Sequence, residues 1–104
     1  MNQSAGTHSH GVLDAHVTIP DHVVFRSFPN ETVVLNLESG KYHGLNPTSG
    51  RMLEALRKTD VPRRAAMELA TEFGQPIDRI LNDLIGFISD LKRRGLIQIE
   101  DGGV

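Results

Sequence analysis

Five histidines are the side chains of this sequence that most invite a chemical role. His8, His10 and His16 lie close together near the N-terminus, and imidazoles at short spacing can ligate a metal. A preformed metal site needs ligands that the fold holds and orients, whereas this stretch is rich in Ser, Gly, Asn and Thr and predicts a mobile tail. His22 and His43 fall in predicted strands, as ordinary strand residues. We therefore predict no metal site.

Catalytic groups are equally hard to assemble from the sequence. A serine nucleophile needs a positioned base and an oxyanion hole, and the serines at 27, 39, 49 and 89 have no such surroundings. The glycines do not form a phosphate-binding loop. The chain has no cysteine, which excludes a thiol nucleophile, a disulfide and a cysteine-ligated metal centre. We predict no enzymatic activity and no cofactor.

Length and composition favour one small domain. The chain has 104 residues, 38% of them apolar, and a formal net charge of −2, so a strongly basic nucleic-acid binder is not expected. No apolar run approaches the ~18 residues that span a bilayer, and no secretory signal is visible, which predicts a cytoplasmic protein without a membrane partner. We expect a flexible tail over 1–15, the domain over 16–100 and a frayed end over 101–104.

Strands are predicted in the first half of the domain. Residues 22–28, 32–37 and 41–45 are rich in β-branched and aromatic residues and are separated by short turns. Three such segments in succession form an antiparallel meander. Side-chain alternation within the second segment separates Val33, Leu35 and Leu37 from Val34 and Asn36, and we expect Leu35 and Leu37 to enter the core.

Helices are predicted in the second half. Asn46 followed by Pro47 is a helix start signal, and three helices are expected over about 47–58, 62–74 and 76–94. The fold class is therefore α+β and winged-helix-like: a three-stranded antiparallel meander followed by a three-helix bundle. The helical part of the predicted core comprises Met52, Leu56, Leu69, Phe73, Ile88 and Leu91.

The third helix carries more apolar surface than one core contact requires. Its apolar side chains cover an arc of roughly 160°, whereas a surface helix needs about 100°. The excess lies at Ile80 and Phe87 on one edge of the arc and at Ile85 on the other. Two interpretations stay open: the domain packs this helix on two sides, or the excess lines a groove for a partner segment. Ile77, Leu81 and Ile85 are alternates for the groove.

A winged-helix arrangement is also typical of DNA-binding proteins. The first two turns of the third helix would then face the phosphate backbone. They carry Asp78 and Asp83, which phosphates repel, and no basic stripe compensates. DNA binding is therefore kept as an alternative, and no nucleic-acid partner is predicted.

The predicted strand 41–45 is an edge of the meander, with one row of unpaired backbone groups. Natural edges are usually guarded, and Lys41 is the only obvious guard here. An open edge beside an apolar helix can accept an extended peptide as an added strand. The N-terminal tail and a second copy of the chain are the other possible occupants.

Two segments resemble the PqqD-like family. The first is ETVVLNLESGKYHGLN at residues 31–46: an apolar strand, an acidic-x-Gly turn, an aromatic residue and Leu-Asn before the first helix. The second is NDLIGFISDLKRRGLI at residues 82–97, similar to the closing pattern of the family. In this order and spacing the resemblance covers about residues 17–99. Gly44 departs from the bulkier residue often seen after the aromatic pair.

This resemblance implies a protein that binds the leader of a ribosomally synthesised, post-translationally modified peptide. The leader would add as a strand beside 41–45, against the third helix, and would be delivered to a leader peptidase or another maturation enzyme. Stand-alone domains of this size occur in pyrroloquinoline quinone and lasso peptide clusters, and the chain looks most like the lasso type. The alternatives are a peptide chaperone for a radical enzyme, of the pyrroloquinoline quinone type, and a winged-helix DNA-binding protein.

The resulting peptide site combines the edge strand with one face of the third helix. Residues 41–45 would supply the backbone ladder, Val34 and Tyr42 would line pockets, and Asp83 or Arg79 would meet polar leader groups. We expect a monomer or a weak dimer. The full predicted set is Val34, Lys41, Tyr42, His43, Gly44, Leu45, Arg79, Ile80, Asp83, Leu84 and Phe87.

Overall fold

A computed structural model describes residues 11–100 and contains five strands and three α-helices within them. Strands β2, β3 and β4 form an antiparallel sheet in that order, and the helices follow. This confirms the predicted α+β fold. The elements are β1 (His16–Thr18), β2 (Val23–Ser27), β3 (Thr32–Asn36), β4 (Tyr42–Leu45), α1 (Pro47–Thr59), α2 (Pro62–Phe73), α3 (Ile77–Arg93) and β5 (Gln98–Glu100).

The face of β3 that packs against the helices is the opposite of the predicted one. Thr32 and Val34 are buried on the helix side, whereas Leu37, just beyond the end of β3, is exposed and Leu35 is only half-buried. The prediction that Leu35 and Leu37 enter the core is therefore wrong. Alternation correctly separated the two sets, but both contain apolar residues, so the pattern alone does not say which set faces inward.

Close packing of α1 on β3 explains which face is buried. A Cβ atom placed on Gly50 would lie 2.2 Å from Oγ1 of Thr32, so only a glycine allows the helix to approach the strand this closely. Thr32 itself exchanges a hydrogen bond with Ser27, at 3.1 Å between the two hydroxyl oxygens. The small hydroxyl of Thr32 and the missing side chain of Gly50 together bring the start of α1 against the sheet.

The ordered domain begins earlier than predicted. Residues 12–14 form a 3-10 turn that packs on α2 and α3, and Leu13 and Ala15 are buried. Arg63 donates two hydrogen bonds to the carboxylate of Asp14, at 2.8 and 3.0 Å, and this lowers the pKa of Asp14. The part of the predicted tail over 11–15 therefore belongs to the fold. Residues 1–10 and 101–104, predicted as flexible, lie outside the described residues.

Strand β1 was not predicted. It pairs antiparallel with β5, where Val17 lies opposite Ile99. Leu96 and Ile97, which precede β5, are buried, so the apolar C-terminal segment both packs and pairs. A three-residue strand is too short to leave a recognisable period in the sequence.

The start of α1 is stabilised by the predicted cap. The side chain of Asn46 accepts a hydrogen bond from the backbone N–H of Ser49 at 2.8 Å, and Pro47 occupies the first turn. This confirms Asn46-Pro47 as the helix start signal. The cap fixes the point at which the chain leaves β4 and enters the helix.

Replacing Asn46 with alanine is expected to lower the free energy of unfolding by about 1 kcal/mol, because it leaves a first-turn N–H without its partner. Asn46→Asp keeps a capping oxygen and should retain most of the stability. Urea denaturation of the three proteins measures the difference. Equal midpoints for wild type and Asn46→Ala would contradict the capping role.

None of the helices within residues 11–100 combines the length and the hydrophobicity that a membrane span requires.

Candidate peptide-binding site

The edge strand β4 has a backbone row free for pairing. The sheet order places β4 at one edge, and the backbone N–H of Asn36 donates to the carbonyl of Lys41 at 3.0 Å. Hydrogen-bonded pairs alternate along an antiparallel ladder, so residues 41, 43 and 45 direct their backbone groups to β3. Tyr42 and Gly44 therefore direct their N–H and C=O groups to the open edge. The ladder expected from all of 41–45 comes mainly from these two residues.

An apolar cleft begins beside the end of β4. It encloses about 300 Å³ between the start of α1, the end of α2 and the first half of α3. Thr48 lines the cleft and follows Leu45, the last residue of β4, by only three positions. Because three residues span a short distance, this end of the cleft lies next to the end of the edge strand. The cleft is lined by Thr48, Met52, Phe73, Gln75, Arg79, Ile80 and Asp83.

Charges of both signs border this cleft. Arg79 and Asp83 lie on exposed positions of α3, and Arg79 donates a weak hydrogen bond to Gln75 at 3.4 Å. Asp83 forms no ion pair with another residue in the described range. The rim therefore offers a cation and a free carboxylate to polar groups of a peptide, while Met52 and Ile80 supply apolar surface.

An ion pair between α1 and α2 supports the cleft. Arg51 donates two hydrogen bonds to the two carboxylate oxygens of Glu72, at 2.7 and 2.5 Å. These hydrogen bonds lower the pKa of Glu72 and raise that of Arg51, so the pair stays charged at neutral pH. The two residues directly precede Met52 and Phe73 in the sequence, so this bidentate contact holds the two helices that carry those cleft residues.

Two predicted site residues lie in the core instead of the cleft. Val34 is 1% exposed and Leu84 is 0% exposed, so neither side chain has surface to offer a peptide in this structure. Phe87 is also nearly buried and does not line the cleft. The wide apolar arc of α3 is therefore buried largely within the domain itself, where α3 packs against α2 and the 3-10 turn at residues 12–14. Ile80 is buried too but reaches the cleft wall.

The three alternate groove positions of the arc are not fully buried. Ile77 is exposed, and Leu81 and Ile85 are half-buried, yet none of them lines the cleft. Of the two arc edges considered for the groove, the structure brings Ile80 and Asp83 to the cleft.

Tyr42 and Val34 lie on opposite faces of the sheet. Tyr42 is paired with Leu35, and His43 with Val34, so Tyr42 points away from the helices. Val34 and Tyr42 therefore cannot line the same pocket, and the pocket role of each stays a prediction. His43 is half-buried and Leu45 buried on the helix side, and Lys41 is exposed at the start of the strand.

Four cleft residues were missed by sequence reasoning. Met52 and Phe73 were predicted as core, and Thr48 and Gln75 were not singled out. Met52 and Phe73 do sit at inward helix positions, but Met52 lies in the middle of α1 and Phe73 at the end of α2, and the two come together only in the folded domain. No local pattern in the sequence signals such a meeting.

A larger cavity of about 500 Å³ lies near the other sheet edge, at β2. The guanidinium of Arg57 lies over the ring of Phe25 there, 5.3 Å from its centroid, and both residues line the cavity. The backbone N–H of Val23 already donates to the carbonyl of Pro20 at 2.9 Å, so part of this edge is paired. The edge at β4 is therefore the better site for an added strand.

No group of three or more His, Cys, Asp or Glu residues in the described range is arranged to hold a metal ion. His16 instead lies 3.3 Å from the carboxylate of Asp60, and His22 lies 3.6 Å from Glu38.

An antiparallel meander with an open edge strand, next to a cleft among three helices, defines a small α+β domain with a site shaped for an extended peptide. The chain belongs to the PqqD family, described as coenzyme PQQ synthesis protein D, which matches residues 31–97. No curated protein matches the sequence.

Two solved structures are similar to this chain. One is TbiB1 in complex with the TbiA(beta) leader peptide, with a TM-score of 0.72 and 26% identity over 78% of this chain and 94% of the other. The second is a lasso peptide synthetase B1 complexed with the leader peptide, with a TM-score of 0.71 and 21% identity over 81% of this chain and 99% of the other. The second supports the fold alone.

Proposed function

We propose that this protein is an adaptor that binds the leader of a ribosomally synthesised precursor peptide, of the lasso type. The observation that carries the proposal is the open edge of β4, where Tyr42 and Gly44 direct unpaired backbone groups outward beside the cleft. The similarity to TbiB1, whose structure contains a leader peptide, supports the same conclusion.

The leader would bind as a fourth strand of the sheet. Backbone pairing with Tyr42 and Gly44 supplies affinity that depends little on leader sequence. Side chains of an added strand alternate, so every second leader residue turns towards the helix side of the sheet, where the cleft begins near Thr48. An apolar leader residue would contact Met52 and Ile80 there, and a polar one would meet Arg79 or Asp83.

After binding, the adaptor would present the precursor to a leader peptidase or another maturation enzyme and would perform no chemistry itself. We place this activity in the cytoplasm, with the adaptor acting as a monomer or a weak dimer. The family match favours a second candidate, a chaperone that delivers a pyrroloquinoline quinone precursor peptide to a radical enzyme.

Titration with fluorescently labelled leader peptides tests the proposal. The leader of the precursor encoded next to this gene should bind saturably, with a sub-micromolar to micromolar Kd. A scrambled leader is the matched control, and a pyrroloquinoline quinone precursor peptide distinguishes the second candidate. Equal binding of the cognate and scrambled leaders would contradict leader recognition. Strongly salt-dependent binding of a double-stranded DNA probe would instead favour the DNA-binding alternative.

A further inference from the structure

Backbone pairing with β4 does not by itself fix the direction of a bound leader. A strand can be added to an edge in either direction, because parallel and antiparallel ladders both satisfy backbone groups. The pairing can also shift by two residues without changing which side chains face the helices. Side chains at the site must therefore set direction and register, and the cleft next to β4 supplies two that are charged.

Arg79 and Asp83 are these two side chains. Both are exposed, both line the cleft, and they stand four residues apart on α3. They form no ion pair with each other or with another residue of the described range. A basic residue that precedes an acidic one by four positions is the less favourable order for a pair within a helix, which agrees with their separation. Both charges are therefore available to a ligand in the cleft.

The spacing of these two charges matches that of an extended peptide. Four residues of an α-helix advance about 6 Å along its axis. In an extended strand, side chains two positions apart lie on the same face and about 6.6 Å from each other. A leader strand that follows α3 can therefore place one side chain at Arg79 and the next side chain of the same row at Asp83.

Apolar surface in the cleft strengthens the selection between the two directions. Met52 and Ile80 line the same cleft and are buried. A charged leader side chain that contacts them is partly removed from water, where attraction to an opposite charge and repulsion from a like charge are both stronger. A leader bound in the reverse direction would bring its acidic residue to Asp83 and its basic residue to Arg79, and this like-charge contact disfavours it.

We propose that Arg79 and Asp83 set the direction and register of the bound leader by pairing with an acidic and a basic leader residue that stand two positions apart. This inference rests on the proposed leader-binding function and adds to it the class of leader that the cleft accepts. The order of the two charges in the leader gives its direction. If the acidic residue precedes the basic one, the leader runs in the same direction as α3, and the reverse order makes it run the opposite way.

Exchanging the two charges tests this role. The double variant Arg79→Asp with Asp83→Arg keeps the net charge and reverses the order of charges along α3. Fluorescence anisotropy measures its affinity for the cognate leader and for a leader whose acidic and basic residues at this spacing are exchanged. Circular dichroism checks that the variant is folded.

Arg64→Glu with Glu68→Arg is the matched control. These exposed residues of α2 have the same order and spacing as the cleft pair but do not line the cleft. The exchange removes the ion pair of Glu68 with Lys58, whose N···O distance is 3.7 Å, and an exposed pair of this kind contributes little to stability.

The cleft variant should bind the cognate leader about tenfold or more weakly than wild type does, and the exchanged leader should restore binding to within about threefold. Wild type and the control should both prefer the cognate leader and bind it equally well. Unchanged affinity of the cleft variant for the cognate leader would overturn the proposal, as would weak binding of both leaders by that variant.

Two further results would also overturn it. One is a cognate leader without opposite charges two positions apart. The other is an equal loss of affinity in the control, which would attribute the effect to the overall field of the protein. Failure of the wild-type protein to bind the cognate leader would instead contradict the proposed function, and the wild-type titration shows this independently.

Discussion

Replacing Gly44 with proline is expected to lower leader affinity about 10- to 100-fold, because a backbone donor facing the leader is lost and its partner is left unsatisfied. Proline has no N–H, and the ladder pattern directs the N–H of Gly44 to the open edge. Proline is tolerated in an edge strand where the N–H faces solvent, so the fold should persist. Fluorescence anisotropy with labelled leader measures the loss.

Gly44→Ala is the matched control, since it keeps the N–H. A Cβ atom at this position would lie 3.5 Å from a carboxylate oxygen of Glu31, which is an ordinary contact. The alanine variant should therefore bind leader almost as well as wild type. Wild-type affinity in a folded Gly44→Pro protein, checked by circular dichroism, would place the leader away from β4.

Filling the cleft is the second change with a large expected effect. Thr48→Trp should reduce leader affinity at least about tenfold, because the indole would occupy space that a leader side chain needs. Thr48 is exposed and lines the cleft from the first turn of α1, so the substitution leaves the core intact. The same anisotropy titration measures the effect.

Lys58→Trp gives the control for this variant. Lys58 lies on the same helix, is exposed and does not line the cleft, so a tryptophan there should leave leader binding unchanged. If Thr48→Trp bound leader as tightly as wild type while Gly44→Pro did not, the backbone ladder would be retained and the cleft would have no part in recognition.

Local signals in the sequence were sufficient for the three strands of the meander, the three helices and the open edge. Helix α1 begins at Asn46-Pro47, as predicted. The glycines at 40, 74 and 95 have positive φ angles and lie where a turn or a helix end was predicted. Each of these features depends on a few neighbouring residues. The order of the strands followed from short connections, which place β4 at the edge without any long-range information.

The inner face of the sheet and the cleft could not be predicted in the same way. Apolar residues lie on both sides of β3, and a contact eighteen positions apart in sequence, between Thr32 and Gly50, decides which side is buried. The burial of Leu84 likewise depends on the packing of α3 against α2 and the 3-10 turn at residues 12–14. Packing between elements decides which of these residues are buried, and the periodic pattern within one element does not predict that packing.

Pairing of β1 with β5 has a practical meaning for handling the domain. His16 lies opposite Glu100, so a strand near the start of the fold is held beside the last strand. These two strands separate when the domain unfolds, and a donor–acceptor dye pair attached at residues 16 and 100 would therefore report whether the domain is folded.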